Sequence, residues 1–240
     1  MQRMVLGILL ASSGLLAQRP SFDVASVKHS PPAAGDLINI NLGTVRHGEV
    51  TLGNATLAEC VRFAYGMVSD DQVAAPDWVK DREFRYDIVA KSAPDTTRER
   101  SLEMLQTLLD ERFKLEMHRE PRVLAHYELT VAKRGLKIKP AAPGASADLR
   151  FANLPLRRVA SSNMPMFRFV MLLSRQLKQA VLDKTGLTGG YDVNLEWTEE
   201  QSGQSIFSAI QDQLGLRLEP HKSPVEILVI DKAEKVPVAN

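Results

Sequence analysis

Apolar positions along the chain switch between two periods. In "NATLAECVRFAYGM", Leu57, Val61 and Ala64 fall on one helical face, and Thr56 and Glu59 have the spacing of a capping box. "FRYDIVAKS" then alternates, with Phe84, Tyr86 and Ile88 on one side of a strand. Helical spacing returns at Leu102, Leu105, Leu108 and Leu109, after a second capping-box pattern of Thr96 with Glu99. "FKLEMH" and "YELTVA" follow and read as the two arms of a hairpin.

The same order recurs. Asn163 can cap a helix with Pro165 in its first turn and Phe167, Val170, Met171 and Ser174 after it. Tyr191, Val193, Leu195 and Trp197 alternate as a strand. Ile206, Ile210 and Leu214 mark a second helix that Gly215 can end. "LRLEPH" and "EILVID" then read as another hairpin. Matching positions are offset by 109 (Asn54 to Asn163), 105 (Tyr86 to Tyr191), 103 (Leu115 to Leu218) and 98 (Glu128 to Glu226). Small deletions in turns give such a drift. The pattern predicts an α+β fold of two duplicated β-α-β-α-β-β units, each a small, mostly antiparallel sheet with helices on one face.

Outside the units, "SFDVASVK" and "LININLG" read as strands and "HSPPAAGD" as a loop. "KPAAPGASADLR" is rich in Ala and Pro and has the composition of a linker. The expected organisation is a leader at residues 1–17, a first unit at 18–139, a linker at 140–147 and a second unit at 148–240. The tail "EKVPVAN" is expected to fray.

The first residues change the picture. Arg3 precedes a mostly apolar stretch over residues 4–16, too short to span a bilayer comfortably, and Ala17 offers a small residue for cleavage. This predicts a secretory signal peptide, and a periplasmic or extracellular protein with no stable membrane insertion after cleavage. Removing residues 1–17 takes away Arg3 and leaves 29 basic against 29 acidic side chains. A neutral chain has no bulk attraction to nucleic acid or anionic lipid. Cys60, the single cysteine, sits on the apolar helical pattern and reads as a buried side chain with no disulfide partner.

"DKTGLTGGYDVNLEW" carries a Lys-Thr pair and three glycines. A phosphate loop places its glycines before the Lys and a helix after it. Here Lys184 and Thr185 precede the glycines and a strand follows, so Gly189 and Gly190 read as a turn. The motifs G-x-S-x-G and H-E-x-x-H are absent. Glu116 and His118 share one face of a strand, and Glu219 and His221 repeat the pair. The competing reading is a solvated face, because Lys114, Arg119, Arg217 and Lys222 lie close by and disfavour a dication. Asp87 and Asp192 each follow a Tyr and could work as paired carboxylates, or simply face outward beside an inward aromatic. His29, His47 and His126 read as surface or strand residues, and Trp78 and Trp197 as core or rim aromatics. These six acidic and His positions are binding candidates only. No catalytic residue, metal or cofactor is assigned.

"FDVASVK", "TLAECVRFAYGM", "PDWV", "LLDERFKLEMHRE", "DKTGLTGGYDVNLEWT" and "LGLRLEPHKSPVEILVID" resemble an exported family of unknown function that is greatly expanded in soil Acidobacteria, notably Solibacter-like genomes. The resemblance runs from about Phe22 to the C-terminus. It implies an extracytoplasmic protein with no established activity. In that family the domain is sometimes attached to antibiotic-responsive membrane metallopeptidase sensors, which implies a sensing or interaction role. This chain has no zinc motif, so that role does not transfer directly. The second half more weakly resembles the short N-terminal domain of secretins and TonB-dependent transducers, modules that bind protein partners. The expectation is an exported, non-enzymatic binding module of the cell envelope, with an envelope protein or extracellular polymer as partner. Exposed hairpin edges could accept an added strand. The alternative is a periplasmic or secreted hydrolase whose site no motif marks.

Overall fold

The computed structural model describes residues 19–31, 41–145, 149–152, 157–198 and 204–238. The expected leader at 1–17 lies outside them, as do most of the "HSPPAAGD" loop, positions 146 and 147 of the expected linker and the last two residues of the tail.

The first half contains β1 (Val24–His29), β2 (Asn41–Arg46), β3 (Glu49–Thr56), α1 (Leu57–Ala64), β4 (Val73–Ala74), α2 (Asp77–Lys80), β5 (Arg85–Lys91), α3 (Arg98–Phe113) and β6 (Glu116–Val131). The second contains β7 (Lys139–Pro140), β8 (Arg150–Ala152), β9 (Arg157–Pro165), α4 (Met166–Leu177), β10 (Val181–Asp183), β11 (Gly190–Trp197), α5 (Ile206–Ala209) and β12 (Leu216–Lys232). A π-helical stretch, Ile210–Leu214, continues α5. Among the described residues the strands form three four-stranded sheets, in the orders β1-β5-β3-β2, β10-β6-β12-β4 and β7-β11-β9-β8. The fold is mixed α+β.

Local signals explain most elements. Thr56 N–H donates to Glu59 Oε2 (2.9 Å) and Glu59 N–H to Thr56 Oγ1 (3.3 Å), closing the expected capping box of α1. The apolar stripes face inward: Leu57, Val61, Tyr86, Ile88, Leu105 and Leu109 are fully buried. Two caps differ from expectation. Thr97, not Thr96, caps α3, accepting from Arg100 N–H (3.2 Å). Asn163 lies within β9, its Nδ2 donating to Ala145 O (3.2 Å), and Pro165 precedes α4 without a side-chain cap. Gly215 ends the second helix in the left-handed region (φ 68°), as expected.

The largest difference concerns the two expected hairpins. The last three residues of "FKLEMH" (Glu116 to His118) and all but the last of "YELTVA" lie on one continuous strand, β6, of 16 residues, while Phe113 closes α3, and "LRLEPH" and "EILVID" lie on β12, of 17. The two strands pair antiparallel with each other, from Leu216 opposite Val131 to Lys232 opposite Glu116. Proline and charge in "HREPRVLAH" imitate a turn, yet these prolines leave the ladder intact. Tyr127 N–H points away from β12, donating to Ala180 O (2.8 Å). Every second amide from there faces outward, and Pro121 falls in that set. Pro220 stands opposite Tyr127 and Pro224 opposite Val123, so they too lack only an outward N–H.

This ribbon ties the halves together. Leu115, just before β6, and Met117, at its start, pack on the first-half core, while Leu129, near its end, lies in the second. On β12 the order is reversed: Leu216 and Leu218 belong to the second core, Leu228 and Ile230 to the first.

Candidate functional site

The candidates from sequence occupy separate places. Glu116 bonds Lys232 Nζ (3.0 Å), and His118 Nδ1 lies 2.7 Å from Asp231 Oδ2. The bond to Asp231 raises the His118 pKa above its ordinary value. Glu219 pairs with Arg217 (3.0 Å), and His221 Nε2 lies 3.6 Å from Glu128. His221 stands opposite His126, eight positions along β6 from His118, so the two His-carboxylate groups are about 27 Å apart at the strand rise. Asp87 accepts Ser30 Oγ (2.7 Å) and Asn54 N–H (2.8 Å). It fastens a bulge in β3 where Asn54 takes φ 51°. Asp192 is in a different sheet, on β11 opposite Lys139, beside Arg150 and Asn194. Among the described residues no group of three or more His, Cys, Asp or Glu is placed to hold a metal ion.

The Gly-rich stretch is a turn. Gly189 has φ 81°, and a Cβ on Gly190 would overlap Asn163. Asp183 Oδ1 accepts both Thr185 N–H (2.9 Å) and Thr185 Oγ1 (2.7 Å), so the amide after Lys184 is already taken by a carboxylate. Cys60 is fully buried, and burial pushes its thiol pKa up.

A different constellation lies between the halves. A groove of about 400 to 600 Å³ suits a small ligand or a segment of a larger one. The one between α1, β2 and α4 measures about 570 Å³. Its first-half wall comes from the β2–β3 turn, where His47 (φ 48°) and Gly48 (φ 71°) both take left-handed conformations that suit a two-residue hairpin. Gly43 brings β2 against Phe63, because a Cβ there would overlap the ring. Its second-half wall is the first turns of α4, with Phe167, Arg168 and Met171.

Arg98, the first residue of α3, sits between these walls. Its guanidinium carbon is 4.4 Å from the Phe167 ring centroid and 5.5 Å from that of Phe63. One ring comes from each half, and Phe167 is 43% exposed. Burial pushes the Arg98 pKa down, opposed by neighbouring Glu99. A cation at a helix N-terminus also opposes the helix dipole. Among the described residues no carboxylate forms an ion pair with Arg98 or with Arg46, at the lip of the groove. Two faces of ring offset part of this cost, by roughly 0.5 to 2 kcal/mol each.

Thr44 Oγ1 donates to Asn41 Oδ1 (3.1 Å), within its own strand. Sequence reading missed Arg98 because residues 98 and 167 meet only when the halves pack. The available signal was a basic residue at the first position of a helix, where acidic residues are favoured.

No described helix is long and apolar enough to cross a membrane. Residues 58–233 match DUF3738, a protein family of unknown function. No curated protein and no solved structure matches the chain. The family match agrees with the expected unknown-function membership and carries neither an acidobacterial grouping nor a link to secretin modules.

Proposed function

This chain belongs to the DUF3738 family, and from that premise we propose that it is an exported, non-enzymatic binding module of the cell envelope whose inter-half groove holds a carboxylate-bearing extracellular polymer. Arg98 carries the reading: a half-buried guanidinium, stacked on Phe63 and Phe167, that forms no ion pair with a carboxylate among the described residues. A uronate-type residue supplies both missing parts, a carboxylate for the arginine and a C–H face for the rings. Export rests on the leader pattern at residues 1–17.

An internal duplication would make the groove a shared site. In each half a strand runs directly into a helix (β3 into α1, β9 into α4), and a short strand follows parallel to a long one (β4 beside β12, β10 beside β6). Two related halves packed face to face would form one groove from both.

Calorimetric titration of residues 18–240 with oligogalacturonate tests this. Binding is expected, weakening with salt, and Arg98→Ala is expected to weaken it at least about tenfold, near 1.4 kcal/mol. Arg98→Lys should recover only part, because the planar stack is lost. Equal affinity of the native chain and Arg98→Ala, or no binding at low salt, would reject the groove as the site. Tighter binding of oligoglutamate than of oligogalacturonate would point to an acidic protein partner instead.

A further inference from the structure

Trp78, on α2, and Phe84, just before β5, form an aromatic corner. Their ring centroids are 6.1 Å apart and their planes stand at 88°. Both rings are half-buried. The ammonium of Lys235, from the tail after β12, sits against them, 4.1 Å from the Phe84 centroid and 5.7 Å from that of Trp78. Two π systems at right angles attract a cation from two sides. Acidic residues flank the rings in sequence, Asp77 before Trp78 and Glu83 before Phe84. Among the described residues neither forms an ion pair, with Lys235 or with any other cation. Arg82 is committed to Glu59 (2.6 Å), which leaves Lys80 against Asp77, Asp81 and Glu83. The corner thus combines aromatic faces with surplus negative charge, and it shares no residue with the groove at Arg98.

The strap that brings Lys235 there, residues 233–238, is fastened along the end of α3. Glu234 N–H donates to Phe113 O (2.7 Å) and Val238 N–H to Arg112 O (2.8 Å), satisfying carbonyls of the last helical turn. Tyr86 Oη donates to Lys235 O (2.7 Å) and Arg112 Nη1 to Val238 O (2.9 Å). Little apolar surface supports these bonds. Ala233 packs on the first-half core, while Val236 is 70% exposed and Val238 42%. A segment held by surface hydrogen bonds over few buried apolar contacts opens locally at low cost.

We propose that the Trp78–Phe84 corner is a binding site for a trimethylammonium group, and that Lys235 is its built-in occupant, displaced when the strap lifts. Lysine is a strongly hydrated point charge, so stacking it on two rings costs desolvation. A trimethylammonium carries the same charge inside an apolar shell of methyl groups and is the cation that aromatic corners hold best. It therefore competes with Lys235 for the same faces.

Choline is the probe, titrated into residues 18–240 while the Trp78 indole N–H resonance is followed by NMR. The chain has two Trp, and Trp78→Phe identifies the resonance. Lys235→Ala removes an exposed side chain and leaves the backbone bonds of the strap in place. It should show a saturable shift with half-saturation at least about tenfold below that of the native chain. Lys235→Arg, which keeps a cation on the rings, should stay close to the native chain. The neutral isostere 3,3-dimethylbutanol should shift neither. Arg98→Ala should respond as the native chain does, which separates this site from the groove. Phosphatidylcholine vesicles form a second arm. Sedimentation of Lys235→Ala with them, reversed by choline, assigns the site to a lipid headgroup, and a choline response without sedimentation assigns it to a free solute. No saturable shift in Lys235→Ala, equal affinity of Lys235→Ala and the native chain, or equal binding of dimethylbutanol would each overturn the assignment.

Discussion

Several side chains with the appearance of chemistry are fasteners. Asp87 could have been half of a carboxylate pair, but its Oδ1 is committed to Ser30 and to the amide of Asn54. Cys60 is buried and its thiol is held in the neutral form. His118 is different because it remains half exposed and titratable beside Asp231. Its folded pKa lies above the ordinary value, first because of the hydrogen bond to Asp231. A raised His pKa adds stability that is fully present below the unfolded value, near 6.5, and is lost as pH rises through the folded value. Asp231→Asn should therefore lower the His118 midpoint in an NMR titration. It should also narrow the difference in denaturant midpoint between mildly acidic and alkaline pH. An unchanged His118 midpoint would show that the bond to Asp231 does not form in solution. The exposure of both groups keeps the stability effect small.

At the scale of elements, prolines shape the central ribbon. An added strand needs the outward amides of an edge, and Pro220 and Pro224 remove two of them from β12, as Pro121 removes one from β6. Strand addition at these edges is thus opposed by the sequence that builds them. Replacing Pro220 and Pro224 together by Thr should restore a continuous edge and produce concentration-dependent association above that of the native chain, read by light scattering after gel filtration. No change in mass over a wide concentration range would mean that the charges on this edge, Lys222 and Glu226, protect it by themselves. The same prolines limited what could be read from sequence. The helical stripe of Leu57 and Val61 and the alternation of Tyr86 and Ile88 were legible, since burial imposes their period directly. The continuity of β6 was not, because a proline among charged residues is as good a turn signal as an edge-strand signal. The contact of Arg98 with Phe167 spans two elements from different halves, so no local period could report it.

At the scale of the molecule, each core is finished by a strand from the other half. Ile230, close to the C-terminus, is 2% exposed and packs with Val50, Leu57 and Ile88 in the first-half core. Leu129, fully buried, does the same for the second-half core with Val193 and Leu195. Chain position and structural effect should therefore be crossed. Ile230→Ala and Leu129→Ala should each cost about 2 to 5 kcal/mol, the usual range for emptying such a site. In hydrogen exchange, Ile230→Ala should speed the amides of β3 and β5 in the first half, and Leu129→Ala those of β9 and β11 in the second. Exchange that quickened only near each substitution in sequence would contradict the exchange of strands. The crossing also makes the groove at Arg98 depend on both halves at once, since its two aromatic walls stay in register only while β6 and β12 remain paired. Residues 18–139 and 148–240 produced apart would each lack the strand that seals its core, so the groove and the two cores should be lost together.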